Sequence, residues 1–234
     1  MAEHSAGYVL AYAAGVCLTA SVALTTLAVG LRARQEQMAE LDRKFNVLKA
    51  LHAPVEPAPG RRAPASTIEE IYARNVRPAW WDPATSMVGT SSPHATAMPL
   101  YQWIESGRVT RVAIPVSGKG LWSTIYGFMA LDPTGSEILG ITFYRHGETP
   151  GLGGEIEQPW FQRQFEGRRL RGPDGRRLPI VIAKGRASKA EREDPNRVVV
   201  DGISGATLTG RGVMEFLNRV LDLYEPCFRA MRKE

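Results

Sequence analysis

Three hydroxyl side chains lie close together in the segment DGISGATLTGRGV, at Ser204, Thr207 and Thr209, directly before an apolar helical pattern. A single serine or threonine would be enough to cap a helix. Three of them, spaced by small residues, indicate a reactive hydroxyl with room beside it. The start of a helix also stabilises a phosphate, because it offers unpaired N–H groups and the positive end of the helix dipole. Three interpretations are open: a capped helix, a non-covalent phosphate site, or a hydroxyl that becomes esterified.

Several other chemistries lack their motifs in this chain. There is no G-x-S-x-G segment with a matching histidine motif, so serine-hydrolase chemistry is not predicted. Cys17 and Cys227 form neither a disulfide framework nor a CxxC clip. The net charge of +5 comes without a nucleic-acid-binding motif, so nucleic acid is not predicted as a partner. The histidines show no ligand spacing, and neither a metal site nor a catalytic acid or base is predicted; they are His4, His52, His94 and His146.

A second glycine-rich segment, HGETPGLGGEI, directly follows a strand-like pattern. Glycines let the backbone approach a ligand closely and adopt positive φ. Leu152 would be an exposed apolar residue there unless a flat group covers it, and Glu148 and Thr149 supply hydrogen-bonding groups beside it. The segment matches neither a dinucleotide fingerprint nor a Walker loop. An ordinary glycine-rich turn remains an equal alternative.

The elements that position these segments form an α+β pattern. The runs VTRVAIPV, LWSTIYGFMALD and EILGITFYRH are rich in β-branched and aromatic residues, and a hairpin is predicted around Pro133–Gly135. LPIVIAKG and RVVVDG predict further strands, and QPWFQRQFEG a short helix that ends at Gly167. An apolar i, i+3, i+4 stripe from about Thr209 predicts the C-terminal helix. The prediction is a mainly antiparallel sheet flanked by helices.

The N-terminal part has a different composition. Gly7 to Leu31 carries no charge, and as a helix it exceeds the ~30 Å hydrocarbon core, so a retained membrane anchor is favoured over a cleaved signal peptide. An amphipathic stalk helix and a proline-rich linker follow, then a capping box at Ser66–Glu69 that opens a short helix, then an irregular loop over 75–100. The predicted domains are an anchor (1–33), a stalk and linker (34–65) and a globular domain (66–234).

The distribution of basic residues bears on two questions, the orientation of the chain in the membrane and the role of a basic stretch. The first six residues contain no Lys or Arg, whereas five basic residues lie between the end of the span and Lys49. Under the positive-inside rule this distribution favours a cytoplasmic position for the domain that follows. The rule is weak where a long domain follows the span. The basic stretch from Arg163 to Arg197 is interpreted as a solvated face or a partner surface.

The segment Asp201-x-x-Ser204-Gly205-Ala206-Thr207 resembles the flavinylation motif of the FMN-binding domains of respiratory membrane complexes. The resemblance implies that Thr207 carries FMN through a phosphodiester installed by a separate flavin transferase. The ETPGLGGEI segment is similar to the block that lies against the flavin in that family. The residues predicted to bind the cofactor beside Thr207 are Asp201, Ser204, Gly205, Ala206, Trp122, Glu148, Thr149, Gly151, Leu152 and Gly153. For Ser204 and Thr209, helix capping is retained as the alternative.

Within these families, GKGLWSTIYGFMALD resembles a strand of the C subunit of the Na+-translocating NADH:quinone reductases, where a tryptophan and a leucine flank the flavin. Trp122 and Leu152 match them, although the sequence alone favours a core residue of a strand over a ligand contact for Trp122. This family implies an electron-transfer protein that relays electrons from NADH toward ubiquinone with sodium export. It also implies partner subunits and an inner-membrane anchor with a periplasmic flavin domain, which conflicts with the charge bias. The alternatives are the G subunit of the Rnf complex, which lacks the GLWS segment, and a flavin-free anchored scaffold domain.

Overall fold

The computed structural model describes residues 5–58, 60–90 and 96–232, so His4 and His94 lie outside the described residues. The chain divides into two compact units, Met1–Arg43 and Lys44–Glu234. A continuous helix, α1, runs from Ala6 to Ala50. Its apolar N-terminal part is exposed throughout, and it is long and apolar enough to cross a membrane. The helix covers the residues for which an anchor and a stalk helix are predicted.

The second unit is built on a seven-stranded antiparallel sheet. Its strands have the order β2-β1-β3-β4-β5-β6-β7, and a separate parallel pair joins β8 to β9. The strands are β1 (Val76–Asp82), β2 (Met87–Gly89), β3 (Met98–Glu105), β4 (Arg108–Lys119), β5 (Thr124–Leu131), β6 (Glu137–Arg145), β7 (Arg168–Arg169), β8 (Ile180–Ile182) and β9 (Val198–Val200). The helices after α1 are α2 (Ala65–Asn75), α3 (Pro159–Gln162), α4 (Lys189–Arg192) and α5 (Thr207–Met231), with a 3-10 turn over Gly153–Glu157.

The central strands lie where the sequence predicts them. β4, β5 and β6 coincide with the three aromatic and β-branched runs, and β5 pairs with β6 across the predicted hairpin. The apolar stripe of α5 buries Val213, Phe216, Leu217 and their neighbours in the core. A Cβ on Gly118 of β4 would lie 2.2 Å from the Cβ of Phe216, so glycine is what allows α5 to approach this strand. The α+β fold with a mainly antiparallel sheet is confirmed.

The irregular loop predicted over 75–100 is wrong for half of its length, since β1, β2 and the start of β3 lie there, and residues 91–95 of this range lie outside the described residues. These strands were not predicted because the segment contains several prolines, and proline cannot donate a hydrogen bond to a sheet ladder. Pro78 is exposed, while Trp81 and Leu100 on the paired strands are about 1 % exposed. Burial of these large apolar side chains outweighs the missing donors.

Helix caps also differ from the prediction. α2 begins after Pro64 and has no side-chain cap hydrogen bond, so the capping box predicted at Ser66 is wrong. A fixed φ makes proline a natural start for a helix, and α2 needs no side-chain acceptor there. The capping box that the structure does contain lies on α4, where the Ser188 side chain accepts from Glu191 and Glu191 reciprocates.

Candidate functional site

The first turn of α5 carries two threonines in opposite environments. Thr207 is the first residue of the helix, and it is exposed. Thr209 is 1 % exposed, and its hydroxyl donates to Oε2 of Glu148 at 2.6 Å. Ala206 is the N-cap residue, and no side chain caps the helix, so the capping interpretation of Ser204 and Thr209 is wrong. The free N–H groups of this turn are therefore available to an anion beside Thr207.

Glu148 is the hydrogen-bonding centre of the site. Its side chain is almost fully buried, with 5 % of the residue exposed. Oε1 accepts the backbone N–H of Trp122 at 2.9 Å and of Ser123 at 3.3 Å, and Oε2 accepts the N–H of Leu121 at 3.2 Å. Burial by itself would raise the pKa of Glu148, but the hydrogen bonds from Thr209 and these three amides outweigh it and hold the pKa below its usual value. One carboxylate thus ties the 120–123 loop to α5.

The glycine-rich segment lies against the same helix start. A Cβ on Gly153 would lie 2.6 Å from the Thr209 hydroxyl and 2.9 Å from Glu148, so only glycine lets this segment approach so closely. Gly205 has a φ of +73°, and a Cβ there would lie 2.9 Å from Cδ2 of Leu152. The three segments singled out in the sequence therefore meet at one place, although Glu148 and Thr209 are 61 residues apart along the chain.

Several large apolar side chains are exposed on the three segments that meet at this site. Trp122 is 70 % exposed, and it lies in the bend between β4 and β5 instead of in a strand, so the alternative of a core tryptophan is wrong. Leu121, Leu152 and Leu208 are also exposed. Clustered exposed apolar side chains mark a surface that a ligand or partner covers.

A small cavity opens directly beside Thr207. Its volume is about 190 Å³, and its lining includes Thr207, Ala206, Lys184 and Arg211. Arg211 pairs with Glu215 at 2.8 Å, whereas Lys184 forms no ion pair with any described residue. These two basic side chains were not predicted as site residues. Arg211 lies four residues after Thr207, and this position near a phosphate-binding helix start could have indicated it. Lys184 lies 17 residues before Asp201, so folding brings it to the site and its position in the sequence does not indicate it.

The remaining predicted residues have different surroundings. Both carboxylate oxygens of Asp201 accept from Arg192, at 2.7 and 2.8 Å, and Oδ1 also accepts the N–H of Ala187. Thr149 and Ser204 are exposed, and the carbonyl of Thr149 accepts the N–H groups of Leu152 and Gly154. Gly151 has a φ of +72°, which favours glycine in this turn.

Among the described residues, no group of His, Cys, Asp and Glu is arranged to hold a metal ion. A larger cavity of about 570 Å³ lies near His52 and Glu166, and none of the predicted site residues lines it. The exposed Thr207, the uncapped helix start, the basic cavity and the apolar side chains form a site suited to a flat ligand that carries a phosphate.

Comparison with known proteins gives this site a class. Residues 120–222, which include Trp122, the glycine-rich segment and Thr207, match the FMN-binding domain family.

Similar proteins with assigned names indicate a specific family within this class. The C subunit of the Na(+)-translocating NADH-quinone reductase of Yersinia pestis is 35% identical, over 92% of this chain and 88% of its own. Its counterpart from Vibrio campbellii is 34% identical, over 85% of this chain and 84% of its own. The chain belongs to this C-subunit family, as its GLWS segment predicts, in preference to the Rnf alternative.

Solved structures agree in fold. The C subunit of the same reductase from Parabacteroides distasonis superposes with a TM-score of 0.69 at 26% identity, covering 85% of this chain and 96% of its own. NqrC from Shewanella oneidensis gives a TM-score of 0.68 at 25% identity, covering 86% of this chain and 100% of its own. An α+β domain of this architecture is thus shared across the family.

Proposed function

We propose that this chain is the FMN-carrying electron-transfer subunit of a Na+-translocating NADH:quinone reductase, and that Thr207 bears the flavin through a phosphodiester. The observation that carries the choice of residue is the contrast between the two threonines of the first turn of α5. Thr207 is exposed, whereas the Thr209 hydroxyl is buried and donates to Glu148. An esterified hydroxyl needs access and space, and Thr207 has both.

The residues around Thr207 fit the parts of FMN. The uncapped N–H groups of α5, together with Lys184 and Arg211, suit the charge of the phosphate. Trp122 and Leu152 supply exposed apolar surface for the flat ring system. FMN supplies the electron-transfer chemistry when bound, and the chain binds and orients it.

Two of the predicted cofactor-binding residues act indirectly in this proposal, by holding the backbone of the site. Glu148 holds the backbone that carries Trp122, and its carboxylate is already occupied by four donors. Asp201 holds the turn before α5 through Arg192 and Ala187. Both are therefore positioning residues, while Ser204, Gly205 and Ala206 leave the approach to Thr207 open.

The setting of the protein follows from the N-terminal helix and the family. We infer that α1 anchors the chain in the bacterial inner membrane as a single span, with the flavin domain in the periplasm, where a flavin transferase attaches FMN. The other subunits of the reductase are its partners. C-terminal alkaline phosphatase and fluorescent-protein fusions test the orientation: the first should be active and the second dark, and the reverse pattern would place the domain in the cytoplasm.

Thr207→Val tests the acceptor, since it keeps the β-branched shape and removes only the hydroxyl. After co-expression with a flavin transferase and denaturing electrophoresis, the wild-type band should fluoresce as flavin and the Thr207→Val band should be dark. Ser204→Ala and Thr209→Ser are the matched controls, and both should stay fluorescent. Intact mass should exceed that of the bare chain by one FMN less one water, the increment of a phosphodiester, only where the band fluoresces. A fluorescent Thr207→Val band would refute the assignment.

A further inference from the structure

A second charged cavity lies at the C-terminal end of α5. Its volume is about 470 Å³. Of the described residues that line it, Gly175 alone is uncharged; the others are Arg171, Arg176, Arg177, Glu225, Arg229 and Arg232. Because α5 rises ~1.5 Å per residue, Arg229 lies roughly 33 Å along the helix from Thr207. The cavity is therefore separate from the proposed flavin site.

Glu225 is already neutralised within this cavity. Arg171 donates to both of its oxygens, at 2.8 and 2.6 Å, and Arg232 donates to Oε1 at 2.9 Å. Burial by itself would raise the pKa of Glu225, but these guanidinium groups outweigh it and hold the pKa below its usual value. Glu225 thus fixes Arg171 and Arg232 in place, and its own charge is offset by them.

The remaining arginines give the cavity an excess of positive charge. Arg176 forms an exposed pair with Asp174, and Arg177, whose side chain is 18 % exposed, pairs with Asp222. Arg229 is 67 % exposed in its side chain and comes no closer than 3.9 Å to Glu225. Five guanidinium groups therefore face three carboxylates, which leaves a net charge of +2.

One buried donor in the cavity wall is unsatisfied. The Nε–H of Arg171 is buried and has no hydrogen-bond partner among the described residues, although the two terminal nitrogens of the same guanidinium are bonded. A buried N–H without an acceptor costs about 1–3 kcal/mol. The guanidinium of Arg171, which lines the cavity, therefore retains one unused hydrogen-bond donor.

We propose that this cavity is an anion site that takes a phosphate or pyrophosphate group. Arginine forks bind phosphate oxygens in pairs, and the cavity volume lies within the range of small-ligand sites, about 300–1,000 Å³. An acidic polypeptide fits less well, because the lining has no apolar side chain to receive a neighbouring residue. The phosphate comes from a soluble compound or from an anionic lipid headgroup, and the experiment separates the two.

The test titrates inorganic pyrophosphate into the full-length protein in neutral detergent, by calorimetry at constant ionic strength. The variant is Arg176→Gln/Arg229→Gln, since these side chains are exposed and have minor roles in the fold. The charge-matched control is Arg61→Gln/Lys189→Gln, on exposed residues outside the cavity. Wild type and control should bind saturably, and the variant should bind about tenfold more weakly or worse.

A second arm identifies the source of the phosphate. Short-chain phosphatidylglycerol and short-chain phosphatidylcholine are compared by their effect on the thermal unfolding midpoint. Stabilisation by the first alone, lost in the variant, assigns a lipid headgroup, whereas pyrophosphate binding without it assigns a soluble phosphate. Absent pyrophosphate binding, or equal binding by the variant, overturns the site, and retention on an acidic peptide instead would assign the arginines to a protein partner. In-gel flavin fluorescence should be unchanged in every variant, so this result is independent of Thr207.

Discussion

Replacing Glu148 with glutamine tests whether one buried carboxylate organises the flavin site. Glutamine keeps the shape but exchanges one acceptor oxygen for an NH2 donor. If the glutamine oxygen stays toward the N–H groups of Trp122 and Ser123, the new NH2 group takes the place of Oε2. It then faces the N–H of Leu121, which is also a donor, so that hydrogen bond is lost. The Thr209 hydroxyl can turn and accept a hydrogen bond from the NH2 group instead of donating one. One charge-assisted hydrogen bond is lost and the others become neutral. Since hydrogen bonds to charged groups contribute about 1.5–3 kcal/mol and neutral ones about 0.5–1.5, the free energy of unfolding should fall by about 2–4 kcal/mol.

The stability difference between wild type and Glu148→Gln should also depend on pH in a defined direction. The pKa of Glu148 is lowered in the folded chain, so its stabilisation is present above the ordinary glutamate value and is lost as pH falls through the folded pKa. The difference between wild type and Glu148→Gln should be constant near neutral pH and narrow below about pH 4.

The assay is urea unfolding of the flavin-free chain in neutral detergent, followed by tryptophan fluorescence at several pH values. Glu193→Gln is the control, because Glu193 is 65 % exposed in its side chain and, among the described residues, forms an ion pair with Lys189 alone, at 3.8 Å. The control should change the free energy of unfolding by less than about 1 kcal/mol. A Glu148→Gln chain within that same margin at pH 7, or a difference that does not vary with pH, would refute the role assigned to the carboxylate.

Three further predictions concern other parts of the second unit. A chain starting at Lys44 should fold alone, whereas one starting at Ser66 should lose more than about 5 kcal/mol of stability, because it lacks buried apolar side chains of 47–63; circular-dichroism melting compares the two. Gly205→Ala should lose about 1–2 kcal/mol and reduce flavin attachment, measured by in-gel fluorescence, since its φ is +73° and a leucine methyl lies 2.9 Å from the new Cβ. Cys227 should resist iodoacetamide at pH 8 until the chain is unfolded, by mass spectrometry, since burial raises its pKa to about 12.

The sequence predicts what depends on local pattern. The β-branched runs gave β4 to β6, and the apolar stripe gave α5, because each pattern matches the period of its element. β1 and β3 were missed because Pro78 and Pro99 disfavour strands locally, while the burial of Trp81 is decided by distant parts of the chain. Long-range packing outweighs local preference in these strands.

The site divides in the same way. The D-x-x-S-G-A-T segment was recognisable, and the exposed Thr207 agrees with the role that the segment suggests. The partners of Glu148 were not predictable, since its bonds to Trp122 and Thr209 cross 26 and 61 residues of chain. From the sequence, Glu148 is predicted to lie beside the ligand as a hydrogen-bonding group. In the structure its carboxylate already accepts hydrogen bonds from four donors of the protein. Spacing along the chain indicates which residue types are present, and folding decides which groups they face.

The two outermost strands of the large sheet are very short. β2 has three residues, and β7 consists of Arg168 and Arg169 alone. A long exposed edge strand would invite a neighbouring chain to add its own strand, while short edges and edge charges discourage such pairing. Neighbouring proteins can therefore approach this domain closely without extending its sheet. Contacts with a partner protein then depend on side chains and not on strand addition to this sheet, and such contacts can form and separate quickly because no backbone ladder has to be broken.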